Sequence, residues 1–197
     1  MKKAIKISLI PVSLILIIVM YFLVKYGFFG AKLYIRCYKF HEDWKLIHAV
    51  EKDSSDDKDW QYNFRIEFKN NSDNEEVDIE TISNIYKLCN DTLNDSDMTD
   101  KDVYLEFDSA NGGQYFGIHF KDNKVYKIRS MYNVELKEIA MYFPKVEELV
   151  LHDPINDSSS FDGFSSLKKV EFHGNVNEDM IKELKQSFPE CEIELVK

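Results

Sequence analysis

Three cysteines in 197 residues are too few and too scattered to staple a fold. Cys37, Cys89 and Cys191 form no C-x-x-C, and an odd number cannot all pair within one chain. Cys89 falls on an apolar helical face and Cys191 in an apolar strand, so both are expected as buried free thiols. Catalytic signatures are missing as well: there is no G-x-S-x-G, P-loop, H-E-x-x-H or G-x-G-x-x-G. Ser158-Ser159-Ser160 reads as a loop, and no Ser, Cys or His has a recognisable activating partner. The sequence therefore predicts neither an enzyme nor a bound cofactor.

Acid is also missing, but only from one end. Residues 1–39 hold Lys2, Lys3, Lys6, Lys25, Lys32, Arg36 and Lys39 and no Asp or Glu. That gives +7, and since the whole chain carries −10, residues 40–197 carry −17. So acidic a domain repels a phosphate backbone, which excludes nucleic acid as its partner.

Within the basic end, Ile7 to Val24 is apolar except for Ser8, Pro11 and Ser13. This run approaches the ~20 residues with which a helix crosses the hydrocarbon core. Lysines and the aromatics Tyr21, Phe22, Tyr26, Phe28 and Phe29 flank it as interfacial anchors. A cleaved leader has a shorter apolar region and small residues at its cleavage site, which Tyr26–Phe29 does not provide. The expectation is a membrane anchor over 1–30 with its span at about 7–24. Basic residues on both sides leave the orientation weakly determined; a short N-terminal tail before one span favours an extracytoplasmic C-terminal domain.

Residues 31–59 read as a juxtamembrane linker, with Leu33 to Val50 open between helix and strand. Asp53 to Asp59 is a solvated acidic loop. From Trp60 the pattern clears. Tyr62, Phe64, Ile66 and Phe68 alternate with polar residues, the period of a strand with one buried face. A turn at Asn70–Asn74 precedes a helix from about Glu75 to Leu93, with Ile82, Ile85, Tyr86, Cys89 and Leu93 inward. Val103, Leu105 and Phe107 then alternate, Ser109–Gly113 turns, Phe116, Ile118 and Phe120 return, and Lys121–Lys124 turns again. Asp95 and Glu106 have calcium-loop spacing, but Asp100 stands where that loop needs glycine and Glu106 lies in a strand. The Asn-x-Ser/Thr sequons at Asn70, Asn90, Asn94 and Asn156 matter only on a eukaryotic secretory route.

The last third repeats itself every 21 residues. Val125, Ile128, Ser130 and Asn133 recur as Val146, Leu149, Leu151 and Pro154, then as Leu167, Val170, Phe172 and Asn175. This spacing resembles the leucine-rich repeat, L-x-x-L-x-L-x-x-N, over about residues 125–197. Leu167 to Asn175 fits best; Pro154 and Ser130 depart from the pattern in the other two tiers. The resemblance implies stacked parallel strands with return segments between them. One return segment is a helix with Leu136, Ile139, Ala140 and Phe143 inward. Another is a turn plugged by Phe161 and Phe164. The last is a helix capped by Asn177, with Ile181, Leu184 and Phe188 inward. A final strand, Cys191 to Leu195, follows three residues later than the period requires. The fold class is thus α/β: a strand–helix–meander leading into a short leucine-rich-repeat-like section, with 60–197 as one domain.

Alternation also names the outward side chains: Lys127, Arg129 and Met131; Glu148, Val150 and His152; Lys169, Glu171 and His173. Lys127, Glu148 and Lys169 are expected to form a ladder of alternating charge. His152 and His173 occupy equivalent places in adjacent tiers beside Asp153, making them weak candidates for zinc; two imidazoles are fewer ligands than zinc usually takes. The resemblance implies a protein- or peptide-recognition module tethered to a membrane. The alternative is an accessory membrane subunit working mainly through its transmembrane helix.

Overall fold

The computed structural model describes residues 14–24, 44–51, 60–68, 78–96, 98, 100–108, 114–131, 134–152, 154–155 and 158–196. Residues 14–24 are helical (α1), and Leu14 through Tyr21, Leu23 and Val24 are all exposed. No helix among the described residues is long and apolar enough to cross a membrane. The first part of the expected span, residues 7–13, lies outside the described residues, as do Cys37 and the acidic run 53–59.

One eight-stranded sheet forms the body of the molecule, its strands in the same order in space as in sequence. They are β1 (Trp44–Glu51), β2 (Tyr62–Phe68), β3 (Val103–Asp108), β4 (Gln114–Lys121), β5 (Lys124–Ser130), β6 (Glu148–Leu151), β7 (Lys169–Phe172) and β8 (Glu192–Leu195). Four of the seven pairings are parallel: β2 with β3, and each neighbouring pair from β5 to β8. The architecture is mixed α/β.

β1 extends the sheet beyond the start expected at Trp60. It lies within the stretch 31–59, read from sequence as a linker, and pairs antiparallel with β2 along its whole length. Trp44 and Leu46 are buried in the core, and the register then shifts between Leu46 and His48. That irregularity breaks the period of two which would have identified a strand.

The helix α2 (Ile79–Asn94) bridges the parallel strands β2 and β3, as such a crossover requires. Asp78 caps it by accepting a hydrogen bond from the Glu80 amide. Ile79, Ile82, Ile85, Cys89 and Leu93 are buried, while Tyr86 is half-buried and sets its ring edge-on against Phe120 and Phe143. The hairpin between β4 and β5 turns through Asp122 and Asn123, both at positive φ (50° and 62°). Two such residues in succession match the right-handed twist of the strands they join.

In the last third the 21-residue period becomes register. Ile128 lies beside Leu149 and Leu149 beside Val170; likewise Ser130, Leu151 and Phe172. Between these strands come α3 (Leu136–Tyr142), a 3-10 turn (Ser158–Phe161) and α4 (Glu178–Ser187). Leu136, Ile139, Ala140, Phe143, Phe161 and Phe164 are all buried, as expected. Asn177 caps α4 through the Asp179 amide. Met180 and Leu184 are its buried residues, whereas Ile181 and Phe188 are only half-buried. α4 is thus rotated slightly from the face expected. Ile193 pairs with Val170, so the last strand arrives 23 residues on, two later than the period and not three.

The buried residues of α2, α3, the 3-10 turn and α4 join the inward residues of all strands except β8, which contributes the half-buried Ile193, in one hydrophobic cluster. Those helices therefore cover one face of the sheet. The candidate site lies on the other.

Candidate binding face

Cross-strand register sets the second face out in rows. One row runs Asn63, Tyr104, His119, Lys127, Glu148, Lys169, Glu192; the next runs Arg65, Glu106, Gly117, Arg129, Val150, Glu171, Glu194. Eight of the nine residues expected to point outward belong to these rows or their ends: Lys127, Arg129, Glu148, Val150, His152, Lys169, Glu171 and His173; the ninth, Met131, is half-buried and packs against the hydrophobic core. Their environments differ.

Val150 faces outward yet is only 3% exposed. It lies between Arg129 and Glu171, and long charged side chains cover apolar neighbours with their stems. The expected ladder of charge is half formed. Lys127 approaches Glu148 at 3.9 Å, but Lys169 reaches diagonally to Glu194 at 2.9 Å. The edge strand supplies acids that the three-tier reading left out of the ladder. That contact holds the Lys169 ammonium above the ordinary lysine range and the Glu194 carboxyl below the ordinary carboxylate range, each through their shared hydrogen bond.

The two histidines stack, with ring centroids 4.2 Å apart and planes 18° from parallel. His173 Nε2 also contacts the Glu171 carboxylate. Asp153 lies outside the described residues. Among the described residues, no group of three or more His, Cys, Asp and Glu could hold a metal ion.

Toward β2–β4 the same face is more tightly packed, although Arg65 stays partly exposed. Asn63, Tyr104, Asp108 and His119 are buried there. Tyr104 stacks on His119 with centroids 4.3 Å apart, and Tyr126 approaches the same imidazole at 6.0 Å. A Cβ on Gly117 would stand 2.6 Å from the Tyr104 hydroxyl oxygen, so glycine is what lets the phenol ring lie flat across β4. Arg65 Nε donates to Asp108 and lies 3.8 Å from Glu106, which also accepts from Asn63 Nδ2 at 3.3 Å. The Asp108 bond, the largest influence, raises the guanidinium further above its already high range.

These residues were missed because a regular alternation makes Tyr104, Glu106 and Asp108 the wet side of β3. The signal available was the density of aromatic and ionic pairs produced by laying the meander out in register. The bulge between His119 and Phe120, which places Tyr126 beside His119, has no sequence marker.

Searches of family models, curated proteins and solved structures find no match to this chain. Its site must be read from its own geometry.

Off this face, Glu147 accepts from Lys124 and, at 2.9 Å, from Lys168. Those two bonds, Lys124 first, hold its carboxyl below the usual range. They tie the β4–β5 hairpin to the entries of β6 and β7. Cys89 and Cys191 are both buried, as expected, and burial pushes the Cys191 thiol up. A thiol held protonated in this way is inert.

Proposed function

We propose that the chain is a membrane-tethered recognition protein whose second sheet face, from β5 to β8, binds a protein or peptide. The parallel section is taken as leucine-rich-repeat-like, and the acidic domain as extracytoplasmic. One observation carries the reading. The 21-residue period sets Lys127, Arg129, Glu148, Lys169, Glu171, His152 and His173 side by side on a face that α2, α3 and α4 leave uncovered. A flat array of charged and imidazole groups offers shape and polarity to a partner and no enclosed volume to a small substrate.

The tether rests on α1. Its exposed residues 14–21, 23 and 24 are all apolar or aromatic. A contiguous surface of that kind is unfavourable in water and suits lipid. The sequence carries the apolar run back to Ile7.

Partner capture by the full chain in mild detergent tests the reading. A triple Glu148→Ala, Lys169→Ala, Glu171→Ala variant with an unchanged amide spectrum is expected to lose a partner that wild type retains through washing. Unchanged capture by that variant overturns the assignment to this face.

A further inference from the structure

Among the described side chains, Arg129 is the one Arg or Lys of the second face without an ion pair. Arg65 is paired with Asp108, Lys127 with Glu148 and Lys169 with Glu194, whereas Arg129 has no ion pair among the described residues. Its Nε is buried and without a hydrogen-bond acceptor there. Register explains why. Its neighbours in the row are Gly117 on β4 and Val150 on β6, and neither side chain can accept a hydrogen bond. The next acids outward in that row are both engaged: Glu106 with Asn63 and Arg65, Glu171 with His173.

This occurs in a part of the chain that carries −17, where acids are abundant and a compensating one would be easy to place. A guanidinium is a planar fork that matches a carboxylate through two parallel hydrogen bonds. Val150 places no polar group beside the fork, and on the other side Gly117 is covered by the Tyr104 ring.

We propose that Arg129 receives an acidic side chain, Glu or Asp, from an extended segment of the partner, deepening the recognition reading given above and resting on it. A segment suits the site better than a free anion. This face supplies one cation without an ion pair among the described residues, so a small anion gains a single contact, while an extended segment can also meet Lys127, Glu148 and Lys169 in the neighbouring row. The overall negative charge opposes acidic partners at long range. A carboxylate is therefore accepted at this one point, and the segment must be otherwise neutral or basic.

The test uses the full chain in a neutral detergent and follows the Arg129 Nε–H resonance by NMR. The probes are nine-residue amide-capped peptides of alternating Thr and Val with Glu, Gln or Lys at the centre, and acetate alone. The Glu peptide is expected to bind at least tenfold more tightly than the Gln peptide and to shift the Arg129 resonance. Acetate should not shift it at comparable concentration. Arg129→Gln should abolish the preference for Glu while keeping the Gln-peptide affinity, and Arg129→Lys should restore only part of it. Equal affinity for Glu and Gln peptides, a preference that survives Arg129→Gln, or a saturable shift with acetate alone each overturns the proposal while leaving the recognition reading standing. Binding of no peptide overturns it too; the recognition reading falls only if partner capture also fails.

Discussion

The two halves of the sheet meet at β5 and are built by different rules. From β1 to β5 the strands are mostly antiparallel, with α2 between β2 and β3 and register shifts in three pairings. From β5 to β8 every pairing is parallel and free of shifts. In the first half Tyr104, Asp108 and His119 are buried opposite the helices, while Arg65 stays partly exposed. The second half keeps one face accessible. Bulges and close side-chain stacking make a local, particular structure. A repeat makes a regular lattice whose outward positions can vary without disturbing the core, as a binding surface requires.

Both halves share one hydrophobic cluster, which sets the largest expected effect. Phe116→Ala in β4 and Phe172→Ala in β7 each empty a fully buried site and should cost about 3–5 kcal/mol. Each should lower a single shared unfolding transition, measured by denaturant titration with both fluorescence and circular dichroism. Two separable transitions would break the molecule into two units at β5.

A medium effect is expected from Gly117→Ala, which drives a Cβ into the Tyr104 ring and should cost about 1–3 kcal/mol. Tyr104→Ala in the same chain should cancel much of that clash, so a double-mutant cycle should show strong coupling. Additive effects would mean that the ring is not held over β4.

The smallest effect concerns the join itself. Glu147→Gln removes the charge shared by Lys124 and Lys168 and should cost about 0.5–1 kcal/mol at neutral pH. Because the folded carboxyl titrates lower than the unfolded one, its stabilisation is complete above the unfolded value and is lost as pH falls through the folded value. The stability of wild type should therefore fall more steeply on acidification than that of Glu147→Gln. Parallel acid limbs in the two proteins would show that the two lysines contribute nothing there.

The legible parts of the molecule were those where one period ran undisturbed. Alternation in Tyr62–Phe68, the i, i+3, i+4, i+7 stripe of α2 and the 21-residue repeat all appear where the pattern put them. The stacking of His152 on His173 was implied by their equivalent places in the repeat. Sequence reasoning lost the thread wherever register slipped. β1 was hidden by its irregularity at Leu46/His48, and the offset of β8 by two extra residues between tiers. Lys169 chose Glu194 because that acid arrives only once β8 is in place.

By itself the sequence determined the mixed α/β class, the order of strands in the last third and the identities of the outward residues, because period and spacing follow from backbone geometry alone. Tertiary structure decided what those residues meet. Pairing of separate strands buried Val150, laid Tyr104 over Gly117 and, among the described residues of the second face, paired Arg65, Lys127 and Lys169 with acids but not Arg129. Contacts between strands depend on register, and bulges and loop lengths set register without leaving a periodic mark in the chain.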